Sequence, residues 1–85
     1  MIDNDKIEIT WTSENMFVTF NEGSLIGQTY KWPGERLTGG RFWTDHSRSI
    51  SQIEPEKRTA SNEERNYVLN TVRRYFPDKV VLFDD

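Results

Sequence analysis

Three consecutive segments near the start of the chain alternate apolar and polar residues, and this pattern most constrains the fold. Residues 7–11 and 16–20 place apolar side chains at every second position, and in residues 25–32 one parity holds Ile26, Gln28, Tyr30 and Trp32. A period of two, rich in β-branched and aromatic residues, is typical of half-buried strands. The polar breaks at 13–15 and 21–23 suit hairpin turns. This part of the sequence therefore predicts an antiparallel three-stranded meander.

Turn residues punctuate the middle of the chain. Pro33-Gly34 has the signature of a type II turn, and Thr38-Gly39-Gly40 predicts a second break. Residues 41–46 then predict a short fourth strand. Its neighbouring rings, Phe42 and Trp43, point to opposite faces, so one of them lies near the surface.

The last third of the chain begins with a long polar segment and contains the clearest helix signal. Residues 47–61 predict an irregular loop, and loops of this length are often functional. Ser61-Asn62-Glu63-Glu64 is a capping box that begins a helix, which Pro77 ends. Residues 79–83 predict a final strand.

Together these elements predict a single α+β domain over residues 1–85. We expect one antiparallel-rich sheet in the order β-β-β-β-α-β, with the C-terminal helix packed on one of its faces.

Composition excludes several classes of protein and of site. The chain has no cysteine and one histidine, which excludes disulfides, thiolate metal sites and two-histidine zinc motifs. It has no apolar run near the ~18 residues of a membrane span, and its acidic start lacks the apolar core of a signal peptide. We therefore expect a cytoplasmic protein with no metal, no cofactor and no membrane partner. A net charge of −3 favours a basic partner and disfavours general nucleic-acid binding.

Two groups of residues are candidates for a catalytic, metal-binding or partner-binding role. His46 lies beside Asp45, but adjacent strand residues point to opposite faces, so we interpret His46 as a surface histidine and predict no catalytic residue. Glu54 and Glu56 flank Pro55 in the predicted loop. Paired carboxylates can hold a metal or act as acid and base, yet contact with a partner is the better interpretation here.

An alternative function rests on aromatic and cationic residues of the predicted sheet. A base-stacking surface could be formed by two rings, Tyr30 and Trp43, with two cationic neighbours, Arg41 and Arg48. This arrangement would make the protein a small nucleic-acid-binding or regulatory domain. The acidic net charge weighs against it.

A distributed set of motifs resembles a known family of small bacterial proteins. The motifs are Gly34-Glu35, Gly39-Gly40-x-Phe42, Ser49-Ile50, Glu54-Pro55, a helix opening with Glu63-Glu64, and a Val81-x-Phe83 ending. The pattern is similar to that of the immunity protein 74 family of polymorphic-toxin and contact-dependent growth inhibition systems. The resemblance covers about residues 7–84, and Ile53 and Glu56 stand where the family pattern has tryptophan and proline.

The resemblance implies a cytoplasmic antidote that does no chemistry of its own. Such a protein binds the C-terminal domain of a delivered toxin, often a nuclease, and blocks its active site or substrate surface. Nucleases hold phosphates on basic surfaces, so an acidic inhibitor associates rapidly with them. We predict partner contacts by four carboxylates and two aromatic anchors, namely Glu35, Asp45, Glu54, Glu56, Trp32 and Trp43.

Overall fold

The computed structural model describes residues 2–3 and 6–83, with side chains from residue 6 onward. The elements, in chain order, are β1 (Ile2–Asp3), β2 (Ile7–Trp11), β3 (Asn15–Phe20), β4 (Thr29–Leu37), β5 (Arg41–Thr44), β6 (Ser51–Glu54), β7 (Arg58–Thr59), α1 (Asn62–Tyr75) and β8 (Val80–Val81). A short 3-10 helix at Ser47–Ser49 links β5 to β6. The fold is α+β, as predicted, with one helix packed against a curled sheet.

The predicted meander is confirmed in β2, β3 and β4, which pair antiparallel in sequence order. Their inward residues, such as Ile9, Val18 and Tyr30, are fully buried. The third strand begins at Thr29, later than predicted, because residues 24–27 form a turn. In that turn the Gly27 amide donates to the Phe20 carbonyl oxygen at 2.9 Å.

The predicted type II turn at Pro33-Gly34 is wrong, because both residues lie inside β4. Gly34 is needed there for close approach: a Cβ would lie 2.3 Å from the Trp43 carbonyl oxygen and 2.5 Å from the Phe42 ring. The chain reverses at residues 38–40, where the second break was predicted, and Gly39 and Gly40 take positive φ there.

The sheet is mixed, which corrects the prediction of an antiparallel-rich sheet in the order β-β-β-β-α-β. The first part of β4 pairs with β6 and its last part with β5, while β8 joins β5 in parallel. A parallel pair needs a long crossover, and the segment through β6, β7 and α1 supplies it. Three further strands, β1, β6 and β7, were missed from the sequence.

The segment predicted as an irregular loop, residues 47–61, contains the 3-10 helix and the hairpin β6–β7. Its strands were missed because the residue that β6 buries is polar: Gln52 is 2% exposed. An alternation of apolar residues, the usual mark of a strand, is therefore absent from this segment.

The helix α1 begins at the predicted capping box. The Glu64 amide donates to Ser61 Oγ at 3.1 Å, and the Ser61 amide donates to Glu64 Oε1 at 3.0 Å. Val68 and Val72 are fully buried and join the core that lies between α1 and the sheet. No helix in the described part of the chain has the length and apolar character needed to cross a membrane.

A polar cluster joins the helix start to the sheet beneath it. The buried Tyr30 hydroxyl donates to Glu64 Oε2 at 2.5 Å, and the Arg58 guanidinium donates to both Glu64 oxygens at 2.8 and 2.7 Å. Gln52 Nε2 donates to Gln28 Oε1 at 2.5 Å in the same cluster. The bonds from Arg58, with those from Tyr30 and Ser61, hold the pKa of Glu64 well below its ordinary range. Burial, with the bond to Glu64, raises the pKa of Tyr30 to about 12.

These pKa shifts predict loss of stability at both ends of the pH range. A carboxyl group with a lowered pKa stabilises the fold above its unfolded pKa of about 4.3, and this stabilisation is lost as the pH falls below that value. A tyrosine with a raised pKa gives the opposite sign, so stability falls as the pH rises from about 10 to about 12. We expect Glu64→Gln to reduce the loss of stability at acidic pH, and Tyr30→Phe to reduce the loss of stability at alkaline pH.

Urea unfolding at a series of pH values measures the free energy of unfolding in both pH ranges. Glu63→Gln is the matched control, because Glu63 is an exposed neighbour in the same first turn of α1. If the wild type and Glu64→Gln lost stability equally as the pH falls, Glu64 would not be the group responsible for the loss at acidic pH.

Candidate functional site: an exposed aromatic patch

Two large rings are exposed side by side where β5 meets the segment after β8. Trp43 is 41% exposed and Phe83 is 55% exposed, with ring centroids 6.3 Å apart. The His46 ring lies 5.9 Å from Phe83. We call these three residues the aromatic patch. Exposed aromatic rings are uncommon on protein surfaces and common at the centres of protein interfaces.

The alternation of β5 explains why Trp43 points outward. Phe42 and Thr44 are buried on the inner face, so Arg41 and Trp43 lie on the outer face. This outcome agrees with the prediction that one of the two adjacent rings lies near the surface.

The register between β4 and β5 places a carboxylate beside the patch. Glu35 is the direct partner of Trp43 in this antiparallel pair. Opposite residues share a face, with Cβ atoms roughly 5 Å apart. The exposed Glu35 side chain therefore lies next to the Trp43 indole.

Asp45 brings a second exposed carboxylate to the same face. It follows β5 directly, and its amide continues the ladder by donating to the Pro33 carbonyl oxygen at 2.8 Å. The Asp45 carbonyl oxygen accepts from Trp32 Nε1 at 2.8 Å, so a core side chain fixes this backbone. Among residues 6–83, neither Glu35 nor Asp45 forms an ion pair.

The parallel strand β8 supplies the other side of the patch. Val81 is the register partner of Trp43, and the Phe83 amide donates to Thr44 Oγ1 at 3.4 Å. These contacts hold the backbone near Phe83 against the end of β5. The patch thus has Phe83 on its β8 side, Glu35 on its β4 side and Asp45 beyond the end of β5.

His46 has a structural task in addition to its ring contact. Its Nδ1 accepts from the Arg48 amide at 3.1 Å and caps the 3-10 helix. The ring is half-buried, whereas the prediction was a surface histidine. Its contact with Phe83 accounts for the difference.

The structure separates the six predicted contact residues into three groups. Glu35, Trp43 and Asp45 come together at the patch. Glu54 pairs with Thr29, six residues from Glu35 along β4 and thus about 20 Å away. Glu56 is exposed in the β6–β7 turn. Trp32 is 0% exposed, so the prediction that it anchors a partner is wrong: it shares the inward parity of its strand with Tyr30.

The base-stacking alternative loses one of its two rings. Tyr30 is 0% exposed beneath the helix, while Trp43, Arg41 and Arg48 remain on the surface. Sequence reasoning also missed Phe83 as a site residue. The available signal was the apolar run at residues 80–83, in which successive side chains cannot all point inward.

A cleft lies between α1 and the end of β3, apart from the aromatic patch. It has a volume of about 260 Å³ and is lined in part by Lys6, Phe20, Tyr67 and Arg74. This volume is below the roughly 300–1,000 Å³ of typical ligand pockets. In the described part of the chain, no three histidine, aspartate or glutamate side chains are grouped to hold a metal ion.

Comparison with family models, curated proteins and solved structures finds no match for this chain.

Proposed function

We propose that this protein is an immunity protein, which binds a toxin domain through the aromatic patch and neutralises it. The observation that carries the proposal is an exposed Trp43–Phe83 pair bordered by two carboxylates that have no ion-pair partner among residues 6–83. Such a group suits a protein interface, because a few aromatic anchors supply most of the binding energy there. The family resemblance of the sequence supports the same function.

The dimensions of the molecule suit a one-sided interface. A stable interface buries about 800 Å² per partner, which is a disc about 30 Å across. The molecule measures 31 × 25 × 21 Å, so one such interface occupies most of one side. With the patch at its centre, this disc has a radius of about 15 Å, so Glu54, which lies about 20 Å from Glu35, would be outside it with Glu56. Charges outside the contact area would act mainly on the rate of association and on its salt dependence.

Charge indicates the class of toxin. The chain has a net charge of −3, and the carboxylates Glu35 and Asp45 lie beside the anchors. A nuclease holds the phosphates of its substrate on a basic surface, to which an acidic inhibitor is steered. Neutralisation would follow from covering that surface, and it requires no catalytic group in the inhibitor.

Co-expression tests the proposal. The toxin is sought in the reading frame next to this one, and its C-terminal domain is expressed alone or with this protein. We expect growth arrest by the toxin domain alone, restored growth with this protein, and a stable complex on size-exclusion chromatography. Continued arrest in cells that contain the folded protein would contradict the proposal for that toxin domain.

A further inference from the structure

We infer that the aromatic patch recognises an arginine side chain of its protein partner, with the guanidinium stacked on the Trp43 indole and paired with Glu35 or Asp45. The inference rests on the proposed function in that the partner is a protein. It adds the chemical group that the patch recognises.

The positions of the two carboxylates carry the inference. Glu35 lies across the strand pair from Trp43, roughly 5 Å away between Cβ atoms. Asp45 lies two residues after Trp43 in the direction of β5, on the same face and about 7 Å from it. A cation over an indole lies within about 6 Å of the ring centroid, which is within reach of both carboxylates. Trp43 therefore has one carboxylate residue opposite it on β4 and another two residues further along its own chain direction.

The Trp43 side chain has surface that is accessible to such a cation. Trp43 is 41% exposed, and no cation of residues 6–83 stacks on its ring. The one arginine next to it on the outer face of β5, Arg41, is opposite Leu37, on the side away from Asp45. A guanidinium from a partner can thus enter beside Asp45 without displacing an ion pair among residues 6–83.

The second ring of the patch favours a long apolar stem. Phe83 is inclined at 37° to Trp43, and its exposed surface continues that of the indole. Arginine packs its methylene stem on apolar surface while its charged head reaches a polar group. The two rings and two carboxylates together match both parts of that side chain.

Arginine suits this site better than lysine. The guanidinium is planar, stacks on aromatic rings and pairs bidentately with a carboxylate, whereas the ammonium group of lysine is compact and strongly hydrated. We expect arginine to be preferred by about tenfold in affinity, since both the stacking and the paired hydrogen bonds favour it.

Two synthetic peptides test this preference on the full chain. One is an octapeptide of alternating glycine and arginine, and the other has lysine in place of arginine. Each is titrated at low ionic strength into ¹⁵N-labelled protein, with the tryptophan indole signals followed by NMR. We expect the Trp43 signal to shift, the signal of the buried Trp32 to stay unchanged, and the arginine peptide to bind about tenfold more tightly.

Two double variants with the same change of charge identify the carboxylates. Glu35→Gln with Asp45→Asn should weaken binding of the arginine peptide about tenfold and reduce its preference over lysine. Glu54→Gln with Glu56→Gln is the matched control and should change the affinity less than about twofold, since those groups lie about 20 Å along β4. The amide spectra of both variants report whether the fold is retained.

Several outcomes would overturn the inference. These are equal affinity for the two peptides, no response of the Trp43 signal, or equal losses in the two double variants. Self-association that Trp43→Ala abolishes would instead assign the patch to a second copy of the chain. Restored growth in the co-expression experiment with no arginine preference would overturn this inference alone, whereas a failure of co-expression concerns the proposed function and leaves the peptide result intact.

Discussion

Replacement of Trp32 by alanine should lower the free energy of unfolding by about 3–5 kcal/mol. A chain of 85 residues has roughly 4–13 kcal/mol in total, so this loss removes from about a quarter to all of its stability. Trp32 is 0% exposed, is the register partner of the buried Met16, and donates its indole N–H to the Asp45 carbonyl oxygen. Truncation removes this packing, leaves a cavity and leaves that oxygen without its indole donor.

Trp43→Ala is the matched control for this prediction. The same change of side chain at a position that is 41% exposed should cost less than about 1 kcal/mol. Urea unfolding followed by far-ultraviolet circular dichroism measures both variants. Equal losses of stability would contradict the assignment of one tryptophan to the core and the other to the surface.

The double substitution Trp43→Ala with Phe83→Ala should weaken binding to the toxin domain by at least about 100-fold. Each ring is a candidate anchor, and truncating an anchor typically costs 2 kcal/mol or more, while a tenfold change in affinity corresponds to about 1.4 kcal/mol. The two rings contact each other at 6.3 Å, so their effects need not add. Calorimetric titration with the toxin domain that co-expression identifies measures the loss, and in cells the variant should fail to restore growth.

Ile26→Ala provides the control for that experiment. Ile26 is 62% exposed in the turn between β3 and β4, so it resembles Phe83 in exposure but lies outside the patch. Its truncation should leave affinity within about twofold. Equal losses in the Ile26 variant and the double variant would show that binding does not centre on the patch.

The features that the sequence predicted correctly are local ones. The alternation in β2 and β3, the opposite faces of Phe42 and Trp43, and the capping box of α1 each depend on neighbouring residues. Local patterns were misleading where a distant contact decides the conformation. Pro33-Gly34 lies within β4 because β5 approaches Gly34 too closely for any side chain, and no local pattern reveals that approach.

The strand β6 and the site residue Phe83 were both missed because each depends on contacts with distant parts of the chain. β6 buries Gln52 in the polar cluster with Gln28 and Tyr30, so its strand pattern contains no apolar alternation. Phe83 reaches Trp43 only because β8 returns in parallel to β5. The sequence predicted Glu35, Asp45 and Trp43 as partner contacts in one set with Trp32, Glu54 and Glu56, whereas their grouping apart from those three depends on the β4–β5 register.

The parallel β5–β8 pair brings together two parts of the aromatic patch that are distant in the sequence: Trp43 lies on β5, and Phe83 follows β8. The strand β8 has only two residues and is the edge strand of its branch of the sheet. A protein bound across both rings would hold β8 against β5, because detachment of β8 would also break the binding surface. By mass action, a partner at 100 times its Kd suppresses such local unfolding by about 2.7 kcal/mol. Complex formation would therefore protect this end of the molecule from proteases, even though the partner touches little of the core.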